Sequence, residues 1–251
     1  VAILLYPVNQ SSASNSAFPD DAIDRRRRER LAKQLARMAA ANPGSRFHHF
    51  DPQVIAAIAA LPRHWFTPPE ARALAYDDEA LAIGVGQTIS QPRVVAAMLT
   101  ALHLKPGMRV LDLGAGSGYA AALLAKLVGL SGHVLAIERQ GALIDRTAAA
   151  LAAAAILDPE MARVDLRHGD GLAVTDGPFD AIHVACALEK LPENLPKRLA
   201  VGGRLVAPVG PHAGVQKLIV LRADAEGLRE ENDLGEVLFV PGLSGVIDKS
   251  P

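Results

Sequence analysis

From residue 108 onward, short aliphatic or β-branched runs alternate with longer stretches in which apolar residues recur every three or four positions. The short runs, residues 110–113, 134–137, 164–166, 181–185 and 204–207, are predicted strands; 118–128, 142–156 and 191–199 are the predicted helices between them. This β-α-β alternation predicts an α/β fold with a mainly parallel, doubly wound sheet. Ligands of such sheets bind outside the carboxyl ends of the strands, so chemistry is to be sought just after each run. Two final runs, 217–221 and 236–240, are predicted as antiparallel strands at one edge.

The first 75 residues have a different rhythm. Residues 9–20 are rich in Ser, Asn and Ala and carry few large apolar side chains, which predicts a flexible tail over 1–20. Asp20, Asp21 and Asp24 then precede Arg25 to Arg28, and Leu31, Leu35 and Met38 recur at helical spacing. Acidic residues in a first turn suit the positive end of a helix. Asp51-Pro52 reads as an N-cap followed by proline at the first helical position, opening a short helix that ends near Pro62. Thr67 and Glu70 have the spacing of a capping box for a further helix through Leu74. The expected organisation is a tail (1–20), an N-terminal helical region (21–75) and one α/β domain (76–251).

Composition then limits the function classes. Half of the 251 residues are hydrophobic but only 4% are aromatic, so the core is built from Ala, Val, Leu and Ile, which suits buried parallel strands. With 26 basic and 27 acidic side chains the formal charge is -1, which gives no field for drawing the chain onto nucleic acid, and the arginine run reads as a solvated helix face. The single cysteine, Cys186, excludes an internal disulfide and a cysteine-based zinc site, and points to a reducing compartment, the cytoplasm. No run approaches the roughly 18 apolar residues of a membrane span. His48, His49 and His64 lack a carboxylate or cysteine at ligand spacing, so no metal is expected. For Cys186 at a strand end and His183 within a strand, packing outweighs catalysis.

The richest signal is Val110-Leu111-Asp112-Leu113-Gly114-Ala115-Gly116-Ser117-Gly118, a strand that breaks into a glycine-rich turn and then a helix. Glycines there let the backbone approach a ligand and leave helix-terminal amides facing it. Dinucleotide enzymes space such glycines as G-x-G-x-x-G; here they stand at 114, 116 and 118, with Asp112 two residues before the first, a pattern that favours S-adenosylmethionine. Glu138 closes the next strand, where a carboxylate can accept hydrogen bonds from ribose hydroxyls. Asp170-Gly171 follows the third strand, with Asp170 placed to receive an adenine amino group and Gly171 to leave room for the ring. Ser90, followed by Gln91-Pro92 and an apolar helical pattern, reads as a helix N-cap.

On Asp112 to Gly118, Glu138, Asp170-Gly171 and Leu199-Ala200-Val201-Gly202-Gly203-Arg204-Leu205 the chain resembles class I S-adenosylmethionine-dependent methyltransferases. On Pro62-Arg63-His64-Trp65-Phe66, Gly86-Gln87-Thr88-Ile89-Ser90-Gln91-Pro92 and Val206-Ala207-Pro208-Val209-Gly210 it resembles, within that class, the protein-L-isoaspartate O-methyltransferase family; the similarity spans about residues 50 to 243. The resemblance implies a Rossmann-like sheet, S-adenosyl-L-methionine as methyl donor with S-adenosyl-L-homocysteine as product, and isoaspartyl peptides and proteins as substrates. It also implies that Gln87, Thr88 and Ile89, the turn residues Gly114, Ala115, Gly116, Ser117 and Gly118, and Glu138 with Arg139 surround the donor. Ser90 lies at the active site, and Ala187, Leu188, Val240 and Pro241 border the peptide. No nucleic acid or membrane partner is implied, and a monomer is expected.

A carboxylic acid has an unperturbed pKa near ~4, so the methyl acceptor is already an anion at neutral pH and needs no general base. The ester of an isoaspartyl residue closes to a succinimide, whose hydrolysis returns some normal aspartate. The chain departs from the family pattern in Ala185-Cys186-Ala187-Leu188-Glu189-Lys190-Leu191-Pro192, where a first proline is absent, and in Gly242, inserted before Leu243. The altered loop at 185–192 motivates one alternative, methylation of another peptide carboxylate; the others are a non-catalytic cofactor-binding protein that engages a partner through residues 21–42, and a nicotinamide-dependent dehydrogenase, against which the glycine spacing argues.

Overall fold

A computed structural model of the chain describes residues 18–41 and 49–248. Five α-helices occur among them: α1 (Ala22–Ala41), α2 (Pro52–Ala60), α3 (Pro92–Ala101), α4 (Tyr119–Val128) and α5 (Gly141–Leu157). A short hairpin of β1 (Leu81–Gly84) and β2 (Gln87–Ile89) stands apart from a seven-stranded sheet. The sheet contains β3 (Arg109–Leu113), β4 (His133–Glu138), β5 (Arg163–His168), β6 (Phe179–Val184), β7 (Leu199–Val209), β8 (Gln216–Asp224) and β9 (Gly227–Val237) in the order β5-β4-β3-β6-β7-β8-β9. Pairing is parallel from β5 to β7 and antiparallel from β7 to β9. The chain winds outward from β3 through β4 to β5, then returns to the opposite side of β3 as β6. The order therefore reverses at β3 and β6, and a crevice opens at their carboxyl ends.

Period-two alternation divides the interior strands between two cores. Val110, Val134, Ala136, Ala181 and Val206 point to a core shared with Leu31 and Leu35 of α1, Val54 and Ile58 of α2, Leu99 of α3 and Leu123 of α4. Leu111, Leu113, Leu135, Ile137, Ile182, Val184 and Leu205 point to the other side, with Phe179 and Leu195. The expected N-terminal helical region thus shares a core with the sheet. The tail expected over 1–20 lies outside the described residues up to 17, but its last residues are docked: Phe18 meets the Trp65 ring edge-on at 5.7 Å, and Pro19 O accepts hydrogen bonds from His64 Nε2 (2.6 Å) and Trp65 Nε1 (3.1 Å).

Three local expectations are corrected. The helix expected at 191–199 is absent, and only a 3-10 turn, Pro196–Arg198, leads into β7. Pro192 could open a helix, but Pro196 would fall in its interior, where it has no N–H to give and clashes with the preceding turn. The capping box at Thr67 does not form: the segment Pro69–Leu74 is a 3-10 helix, and the Thr67 hydroxyl donates to His64 O instead. The edge strand expected at 236–240 ends at Val237 and begins at Gly227, nine residues earlier than expected, because its outer half is mostly polar and solvent-facing and carries no alternating apolar signal. By contrast, Asp51 caps α2 as expected, accepting from Gln53 N at 2.8 Å.

Candidate active site

β3 ends at Leu113 and the chain turns through Gly114, Gly116 and Gly118 with φ of +84°, +54° and +85°. Those are left-handed conformations that glycine adopts without penalty. At Gly118 a Cβ would also sit 2.9 Å from Thr147 Cγ2, so the same residue lets α4 close onto α5. The turn is tied to the neighbouring strand, since Gly114 N and Ala115 N both donate to Ile137 O at 2.9 and 3.1 Å. Glu138, 4% exposed, completes the tie: Oε2 accepts from Gly116 N at 2.7 Å and Oε1 from Gln140 N at 2.8 Å. Burial pushes its pKa above the usual carboxylate value, against the opposing pull of these amides. Two of the roughly four acceptor positions of a carboxylate are thereby used, which leaves capacity for ligand hydroxyls.

A cleft of about 520 Å³ opens at this point. Of the residues singled out from sequence, Gln87, Thr88, Gly114, Gly116, Glu138, Arg139, Gly171, Val240 and Pro241 line it. Leu113, Ile137 and Leu172 add apolar walls. A smaller cavity beside it is bordered by Thr88, Ile89, Ser90, Ala115 and Ser117, and an open groove runs from Thr88 and Ser90 along residues 236–239. Thr88 borders all three spaces, and Ser90 stands between the inner cavity and the groove.

Ser90 is not the N-cap of α3. Pro92 occupies the first turn, which makes Gln91 the cap residue, held extended (ψ 133°) as the residue before a proline must be. Capping comes from outside the helix: Asp78 Oδ1 accepts from Arg93 N at 2.9 Å, its other oxygen pairs with Arg93 Nε, and Asp78 O accepts from Gln91 Nε2 at 2.6 Å. The Ser90 hydroxyl is therefore not spent on the helix end.

Asp112, Asp170, Ala187 and Leu188 lie outside the cleft wall. Asp112 is buried within β3 and bonded to His183 of β6 (2.7 Å). Asp170 gives both oxygens to backbone amides, Leu172 N at 2.9 Å and Gly245 N at 2.7 Å, while Gly171 has no room for a Cβ, which would stand 2.7 Å from Leu113 Cγ. Ala187 and Leu188 are buried clamps: Ala187 N donates to Val240 O and Gly242 N to Ala187 O, both at 2.8 Å, and Leu188 pairs with Pro208 and Gly210. Burial pushes the Cys186 thiol up to about 12, which makes it an inert wall residue. His64 is engaged by Tyr76 Oη (2.6 Å) as well as Pro19 O; His48 lies outside the described residues.

Sequence reasoning missed the segment from Gly242 to Ile247. Leu243 and Gly242 line the cleft, Arg139 donates to Gly245 O (3.0 Å) and Ser244 O (3.2 Å), and Ile247 exchanges backbone bonds with Arg139 and Gly141. The signal that could have found it is Gly242 itself. A Cβ there would lie 2.7 Å from Cys186 Sγ and 2.9 Å from Ala187 O, so the glycine lets the segment press onto the β6 tip.

The residues present suit an adenosyl sulfonium compound: apolar walls for a flat ring, a strand-tip carboxylate with spare acceptors for hydroxyls, and a glycine turn whose backbone can approach the ligand. Comparisons with known proteins agree. The family model described as protein-L-isoaspartate(D-aspartate) O-methyltransferase matches residues 44–246. A protein-L-isoaspartate O-methyltransferase 1 of Rhodopseudomonas palustris (strain HaA2) is 47% identical over 236 residues, 92% of this chain and 90% of the relative. Among solved structures, a putative protein-L-isoaspartate O-methyltransferase from Plasmodium falciparum, in complex with S-adenosyl-L-homocysteine, superposes with a TM-score of 0.74 at 25% identity, covering 87% of this chain and 99% of that one. A second structure, of a protein-L-isoaspartate O-methyltransferase, gives 0.72 at 24% identity over 88% of this chain and 67% of that one, which supports the fold.

Proposed function

The chain belongs to the protein-L-isoaspartate(D-aspartate) O-methyltransferase family, and from that premise we propose how its own residues divide the work. The reaction is transfer of a methyl group from S-adenosyl-L-methionine to the side carboxylate of L-isoaspartyl residues in damaged peptides and proteins, leading to repair through a succinimide. One observation carries the assignment of residues: Thr88 borders donor cleft, inner cavity and open groove alike, so two ligands entering from opposite sides meet at the Thr88–Ser90 strand end.

When bound, S-adenosyl-L-methionine supplies an electrophilic methyl on a sulfonium. Glu138 and the glycine turn hold its ribose and methionine parts, and Leu113, Ile137 and Leu172 take the ring. Ser90 orients the incoming carboxylate, which is ionised at neutral pH and needs no base. Holding the two reactants in line is the main contribution, since orientation alone can supply several of the ~7 to 11 kcal/mol available from proximity. The groove along 236–239, bordered by exposed Leu238 and by Glu236, accommodates extended peptide, and reading backbone there keeps selection for neighbouring side chains loose. Peptide-borne isoaspartate is the partner, and a lone cysteine suits work in the cytoplasm.

Methyl transfer to an isoaspartyl peptide, measured against its aspartyl twin, tests this reading. Labelling of the isoaspartyl form alone is expected; equal labelling of both, or labelling of another carboxylate only, overturns the substrate assignment. Ser90→Ala should lower kcat at least about tenfold, a loss of ~1.4 kcal/mol of transition-state stabilisation, with S-adenosylhomocysteine affinity nearly unchanged.

A further inference from the structure

The open groove that leads to Ser90 is lined mostly by apolar and neutral side chains, and among the described residues only two ionisable ones border it, Arg93 and Glu236. Arg93 stands in the first turn of α3, three positions after Ser90. Its side chain is 37% exposed while that of its partner Asp78 is 6% exposed, so the pair is buried at the carboxylate and open at the guanidinium. Asp78 holds the arginine at one edge only: Oδ1 accepts from Arg93 N at 2.9 Å and Oδ2 from Arg93 Nε. The two terminal nitrogens have no hydrogen-bond or ion-pair partner among the described residues. A guanidinium is a lasting cation that carries donors and no acceptor, and the ligand group that matches its planar fork is a carboxylate.

We propose that Arg93 is a specificity-determining residue, which selects isoaspartyl peptides that carry an acidic side chain within about three residues of the isoaspartate. The inference rests on the methyltransferase reading above, which seats the isoaspartate at Ser90 and extended peptide in the groove. Three positions of chain span at most ~11 Å, and extended peptide advances ~3.3 Å per residue, so the guanidinium is within that reach of the reacting residue. Asp78 fixes the guanidinium by its Nε edge in advance, which lowers the ordering cost of binding and leaves the terminal fork for a bidentate partner. Val94, Val215 and Phe239 wall the groove and limit solvent screening. Two carboxylates oppose an incoming acid. Asp78 is buried and does not border the groove, so the acid meets the guanidinium first. Glu236, on β9, repels an acid placed near it, which confines the preference to peptide positions that reach α3. Selection among uncharged neighbours stays loose.

Peptides blocked at both ends, identical except for Glu or Gln at one position, isolate the charge because the two side chains have nearly the same shape. The position is moved from three residues before the isoaspartate to three after it, and the quantity read is kcat/KM for each Glu peptide over its Gln twin, with the full chain. In the parent this ratio should reach about three to ten at one or more positions, as expected between an exposed ion pair and a bidentate one. The gain should lie in KM, since the groove holds substrate and transition state alike. In Arg93→Gln the ratio should fall to about one at those positions. Each ratio is internal to one protein, so a change in folded fraction cancels. A ratio near one at every position in the parent, or an undiminished ratio in Arg93→Gln, overturns the proposal; if the parent shows no preference and Arg93→Gln loses turnover on both twins alike, the guanidinium serves the reacting carboxylate instead.

Two measurements on the parent alone cover the case in which Arg93→Gln does not fold. Salt near ~1 M, where charges are screened within ~3 Å, should bring the Glu/Gln ratio toward one; a ratio indifferent to salt overturns the proposal. Dissociation constants of the same twins for the protein saturated with S-adenosylhomocysteine should differ by the same ratio, and equal affinities overturn the proposal as well. A parent that binds S-adenosylhomocysteine but labels no isoaspartyl peptide defeats the functional reading instead, while the affinity ratio still decides the role of Arg93.

Discussion

The two walls of the cleft at the carboxyl ends of β3 and β4 are built on opposite plans. One, from Gly114 to Glu138, is assembled from strand tips and a turn within a span of 25 residues, and its bonds serve conformations that glycine and a carboxylate are needed for. The other, from Val240 to Ile247, reaches back over more than 100 residues to Arg139 and is held mainly through main-chain groups that any residue carries. The first wall is specified by side-chain identity and the second by shape. Damage to the first should therefore fall on binding chemistry, and damage to the second on packing.

The largest effect tests the first wall. Glu138→Ala leaves the amides of Gly116 and Gln140 without their acceptor and removes the strand-tip carboxylate from the cleft. Hydrogen bonds to a charged group are worth ~1.5 to 3 kcal/mol each, so affinity for S-adenosylhomocysteine should fall about 10- to 100-fold by calorimetry, with a lowered melting temperature. Unchanged affinity would place the carboxylate outside the binding site.

A smaller effect belongs to the second wall. Gly242→Ala drives a methyl group against Cys186 Sγ and Ala187 O, of which the carbonyl is backbone and cannot swing away. Overpacking of this kind costs about 1–3 kcal/mol, read as a lower denaturation midpoint, while donor affinity should drop only a few-fold. If instead binding collapses with stability intact, Gly242 contacts the ligand directly and the contrast between the walls is wrong.

The smallest effect lies away from both walls, in the N-terminal buttress. His64 is buried with both ring nitrogens engaged, and burial lowers its pKa below the ordinary histidine value of about 6.5, as it does for His103 and His133. The unfolded chain takes up protons at these positions near pH 6.5 while the folded chain does not, so stability should fall as pH drops from 7.5 through that value. His64→Gln should flatten the melting profile over that range without altering S-adenosylhomocysteine affinity at pH 7.5. A shifted affinity would tie the buttress to the cleft.

The same contrast explains what could be read in advance. The interior strands were legible because burial on both sides fills them with aliphatic residues, and the turn at 114–118 because its conformations demand glycine. β9 was placed too late, since Arg229, Glu230, Glu231 and Asn232 face solvent at an edge and leave no apolar trace. The helix expected at 191–199 failed on one proline that apolar periodicity overrode. Ser90 was assigned to a helix end that Asp78 in fact occupies, because capping by a residue 15 positions away has no local pattern. The Asp112–His183 pair was invisible for a similar reason: strand register, not spacing, brings residues 71 apart into contact.

The margins of the large sheet carry a further consequence. β9 ends one side with a row of charged and amide side chains, and β5 ends the other with Arg163, Asp165 and Arg167, the last paired to Asp165 and Asp176. Unpaired strand borders template the addition of foreign chain, and ionic rims discourage it. Both borders of this sheet therefore oppose the edge-to-edge addition of extended foreign chain.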